Sequence, residues 1–75
     1  MPRKPPYKSV IRFRACRIER GHDDVGAACA EGAGRMLSLG GGELVEFALH
    51  DSAGELAVSV VGRIRDVIAI LGGKP

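Results

Sequence analysis

The property that most constrains this chain is how its hydrophobic period changes along 75 residues. From Lys8 to Arg20 the residues alternate, with Ile11, Phe13 and Ala15 on one side and Arg12 and Arg14 on the other. That is the period of a half-buried strand with a basic solvent face. The alternation loses phase near Cys16–Ile18, which predicts a bulge within one long strand. The period then becomes helical: Val25, Ala28, Cys29, Gly32, Met36 and Leu39 form one stripe, with Asp23 or Asp24 placed to cap its start. Gly40-Gly41-Gly42 ends it, as glycines beyond a helix C-terminus do.

Alternation returns at Leu44–His50, where Val45, Phe47 and Leu49 turn inward and Glu46 outward. Asp51-Ser52-Ala53-Gly54 suits a turn with Gly in the left-handed position, so a hairpin is expected. Leu56–Val61 carries no charge, the pattern of a strand flanked on both sides. Ile64, Val67, Ile68 and Leu71 then describe a second amphipathic helix.

The resulting order is β-α-β-β-α, an α+β two-layer sandwich. A right-handed crossover makes the first two strands parallel and places the uncharged third strand between them. The expected sheet is three-stranded, order 1-3-2, with both helices on one face. In topology it resembles a ferredoxin-like fold lacking its last strand, which leaves the first strand as an open edge. Pro2, Pro5 and Pro6 mark residues 1–7 as an extended arm, and 8–75 as the single domain. A core this small is marginal alone, which favours oligomerisation, either by pairing of the first strand with its symmetry mate or through a helix.

Charge is segregated along the chain. Residues 1–20 carry seven bases against Glu19 alone, and residues 21–55 carry seven acids against Arg35 alone, although the net charge is only +2. The bases Arg3, Lys4, Lys8, Arg12, Arg14 and Arg20 are therefore candidate contacts for a nucleic acid or an acidic protein. Gly26, Ala30 and Gly34, spaced by four, form a second small-residue stripe suited to a partner helix.

The residue patterns of common chemistries are weak here. Cys16, His22, Cys29 and His50 contain no paired C-x₂-C or H-x₃₋₅-H step, so no metal site is expected. Both histidines adjoin Asp at expected turns, which predicts exposed side chains. Gly21–Gly26 lacks the lysine of a phosphate loop, and no cofactor is expected. An RNA-recognition fold stacks bases on strand aromatics, and Leu56–Val61 has none.

These features predict a small non-enzymatic, cytoplasmic binding protein that acts through protein–protein contact and forms a homodimer. In size and economy it resembles the accessory and inhibitor proteins of phages and mobile elements, anti-CRISPRs among them. The alternative is a nucleic-acid-binding regulator that uses the basic first strand and the arm.

Overall fold

In the computed structural model, which describes residues 5–39 and 42–72, the alternating segment Lys8–Arg20 is two strands rather than one. Strand β1 (Tyr7–Phe13) turns back at Arg14-Ala15 into β2 (Cys16–His22). Their register runs from Phe13 opposite Cys16 to Tyr7 opposite His22. What looked like a bulge is the turn itself. A two-residue hairpin loop ordinarily announces itself with Gly, Asn or Asp in the left-handed region. Here that conformation falls on Arg14, at φ 56°, so the sequence carries no turn signature.

The extra strand reverses everything downstream. After β2 the chain enters α1 (Val25–Met36) from the end opposite to the one a single long strand would have reached. Strand β3 (Leu44–Asp51) therefore lies antiparallel beside β1, with Ile11 opposite Phe47. Strand β4 (Leu56–Arg63) pairs antiparallel with β3, and α2 (Ile64–Gly72) closes the chain. The sheet is four-stranded and wholly antiparallel, in the order β2-β1-β3-β4. This overturns the expected three-stranded 1-3-2 sheet and its ferredoxin-like resemblance, although the α+β class and the single helical layer hold. It also overturns the placement of the strands: β1 is internal, while β2 and the uncharged β4 are the edges.

The chain thus runs hairpin–helix twice. A two-fold rotation normal to the sheet exchanges β1 with β3 and β2 with β4. The core lies between the sheet and the two helices, where Ile11, Val45, Phe47 and Leu49 meet Ala28, Met36, Ile64, Val67 and Leu71. Helix α1 comes close because Gly32 faces Phe47; a Cβ at that position would sit 2.6 Å from the ring. Asp24 caps α1 by accepting a hydrogen bond from the Ala27 amide at 2.6 Å. At the second hairpin Gly54 is left-handed, at φ 83°, as its turn requires, and Asp51 accepts from the amides of Ala53 and Glu55.

Of the arm expected over residues 1–7, residues 1–4 lie outside the described residues; Tyr7 already belongs to β1, and the Pro5 ring covers Gly21 of β2. Among the described residues no helix is long and apolar enough to cross a membrane.

Candidate functional site: the open sheet face and its edges

Both helices lie on one face of the sheet, so the other is uncovered. Its residues alternate with those of the core: Lys8, Val10 and Arg12 on β1, Leu44, Glu46, Ala48 and His50 on β3. Val10 and Ala48 sit side by side at the floor of a shallow groove and are nearly shielded by their neighbours. Arg12 and Arg17 rise on one side of it, His50 and Leu56 on the other. Leu44, Leu56 and Val61 are more than half exposed, so the β3–β4 half of the face sets apolar side chains among Glu46, His50 and Ser59, while the β1–β2 half is charged.

The candidate bases among the described residues are spread over the first hairpin: Lys8 and Arg12 on the open face, Arg14 at the turn and Arg20 on the helix side. Lys8 and Arg17 both bind Glu19, at 2.7 and 2.9 Å. The hydrogen bond from Lys8 holds the Glu19 carboxyl below its ordinary range. Arg14 forms a bidentate pair with Glu43, 2.6 Å at each contact, and its guanidinium lies 5.3 Å from the centroid of the Phe13 ring. The two hydrogen bonds pull the Glu43 carboxyl down and raise the Arg14 guanidinium. Arg20 stands opposite Ser9, on the helix side of the sheet. Arg3 and Lys4 lie outside the described residues. Arg12 remains on the open face, directly across from Arg17. Among the ion pairs of the described residues, Glu43, just before β3, is the acid of 21–55 that meets a base of the first segment; Lys8 and Arg17 share Glu19 of β2.

Gly26, Ala30 and Gly34 are all exposed on α1, and a Cβ at Gly34 would meet nothing within 4 Å. Cys16 and Cys29 are free thiols, Cys16 exposed and Cys29 half-buried, where burial raises its pKa and keeps it protonated.

His22 corrects the sequence expectation of an exposed turn residue. It is buried at the end of β2, with Nε2 2.9 Å from the Ser9 hydroxyl and 3.9 Å from Glu31 Oε1. Glu31 is tied in turn to Arg35 at 3.2 Å, one helical turn on. A nucleophile–base–acid relay needs the acid on the far nitrogen of the imidazole and a reachable hydroxyl. Here both neighbours approach the same nitrogen, and Ser9 is 1% exposed. The Ser9–His22 contact joins β1 to β2, and Glu31 of α1 stands beside it with Oε1 making no hydrogen bond among the described residues. Its one sequence signal is that Ser9 shares the inward phase of Ile11.

The two edges, equivalent under the internal two-fold, are built differently. Edge β2 carries Arg17, Glu19 and Arg20, and Pro5 packs over Gly21. Charge is a usual protection of an edge strand, while the Pro5 ring lies over the face of β2 at Gly21. Edge β4 reads Leu-Ala-Val-Ser-Val-Val-Gly before its terminal Arg63, with no charge over seven residues. The sequence marked this segment as unusual but pointed to the sheet centre, since a lack of charge is also the mark of an interior strand.

No family model, curated protein or solved structure matches the chain.

Proposed function

We propose that this chain is a small non-enzymatic binding protein that works by protein–protein contact, taking an extended segment of its partner alongside β4. The observation that carries this reading is the uncharged β4 edge. Its outward backbone N–H and C=O groups form a row that a further strand can complete, with main-chain hydrogen bonds supplying affinity and alternate side chains supplying selectivity. Leu56 and Val61, exposed on the open face of β4 itself, offer side-chain contact to the same segment.

The test is capture from nuclease-treated lysate of the source organism by the native chain and by an Ala57→Lys/Val61→Lys variant. Both positions are exposed, so the variant keeps the fold. The expected outcome is a protein retained by the native chain and lost from the variant, with the amides of 56–63 protected from hydrogen exchange in the complex. A partner retained equally by both, or retained only without nuclease, contradicts the proposal.

A further inference from the structure

Independently of the β4 edge, we propose that the groove over Val10 and Ala48 on the open face is a binding site for a small α-amino acid, its carboxylate held by Arg12 and Arg17 and its ammonium by Glu46. The register sets three charged side chains in one row across the sheet: Arg17 on β2, Arg12 on β1 and Glu46 on β3. All three line the groove. Arg12 and Glu46 stand on the two central strands, opposite in charge and directly across from one another, an arrangement that favours a cross-strand pair. Yet neither has an ion-pair partner among the described residues. Glu46 is half-buried, so its carboxylate gains from a cation brought to it.

The other neighbour of Arg12 points to an anion. Arg12 and Arg17 are directly opposed like charges, which is destabilising until a negative group joins them. Glu19, the acid beside them, is shared between Arg17 and Lys8 and makes no ion pair with Arg12. A carboxylate suits two guanidinium groups, since its two oxygens accept charge-assisted hydrogen bonds from both.

Size and lining select the rest of the ligand. The groove has a volume of about 260 Å³, below the roughly 300–1,000 Å³ of sites for drug-sized molecules, so its occupant is small. Directly opposite residues hold their Cβ atoms about 5 Å apart, and an α-amino acid carries its two charges on one carbon, so a single molecule reaches both Arg12 and Glu46. Two residues along the strands come Val10 and Ala48, and two further His50. A side chain laid in that direction crosses the apolar floor toward Leu56, which favours a short aliphatic one. A simple anion would leave Glu46 unpaired, and a simple cation would leave the two arginines so.

Amide chemical shifts of the full chain, titrated with L-valine, isovalerate and isobutylamine, test this. Isovalerate is valine without its ammonium, and isobutylamine is valine without its carboxylate. L-valine should give saturable shifts at Val10, Arg12, Glu46 and Ala48, and each analogue should bind about tenfold more weakly. Arg12→Gln should weaken valine and isovalerate about tenfold and leave isobutylamine unchanged. Glu46→Gln should weaken valine and isobutylamine and leave isovalerate unchanged. Both substitutions lie on the open face, and undisturbed amides at the core residues Phe47 and Leu49 show that each variant is folded. No saturable shift at those four residues, or binding of valine that the two analogues match and the two variants leave unmoved, overturns the site.

Discussion

Gly32 and Gly34 lie two residues apart on α1 and call for opposite responses to the same substitution. In an exposed helix interior Gly→Ala gains up to about 1 kcal/mol of helix propensity, and Gly34, with open space around it, should show that gain. At Gly32 the same methyl would lie 2.6 Å from Phe47 Cε1, and over-packing a core of this kind costs about 1–3 kcal/mol. Urea unfolding of the two variants should therefore move the midpoint up for Gly34→Ala and down for Gly32→Ala. A gain at both would mean that α1 does not rest on Phe47 as described. The sequence already set Gly32 on the core stripe and Gly34 off it, because helical spacing alone separates them. It had no means of finding the Ser9–His22 contact, since a histidine beside two aspartates carries the same local pattern whether it is exposed or tucked beneath a helix.

Among the elements, α1, β3, the second hairpin and α2 were legible from periodicity and from Asp24, Asp51 and Gly54, because each has a local signal. The first hairpin was not. Its turn is Arg14-Ala15, and two inserted turn residues preserve the alternation on either side with only a slip of phase. The left-handed Arg14 is held from outside by its pair with Glu43, 29 positions away in sequence, and no local pattern contains that partner. That pair ties the hairpin tip to the start of β3, and the Ile64 amide donates to the Glu43 carbonyl at 2.9 Å, so the same residue also anchors the start of α2.

The acid response follows from the carboxylates. Glu43 and Glu19 both have pKa values lowered by hydrogen bonds from Arg14 and Lys8. A carboxyl depressed on folding adds stability at pH values above its unfolded pKa and loses that contribution as pH falls through the folded value. Stability should thus decline on the acid side, and Glu43→Gln should be less stable near neutrality yet flatter with pH on the acid limb. High salt should shrink the difference, since both groups are exposed. An unchanged acid limb in Glu43→Gln would remove the pair from the account.

At the scale of the whole molecule, one misplaced turn changed which strand is exposed. With a single long first strand, the basic segment would have been the free edge and the uncharged segment the centre. With two, the basic segment becomes a protected edge and its inner neighbour, and the uncharged segment is left open. Pairing of a second copy through β1 is therefore excluded, since β1 already has β2 and β3 on its two sides. The claim on which the rest depends is that β4 offers a row of unpaired backbone groups that a strand of a partner protein completes. Residue-resolved hydrogen exchange of the chain alone and with its captured partner measures this directly. Alone, alternate amides of Leu56–Arg63 should exchange quickly while those facing β3 stay protected. With the partner bound the fast set should slow as well, and β2 should not change. Protection of β4 that is complete without the partner, or partner-dependent protection appearing at β2 instead, would contradict it.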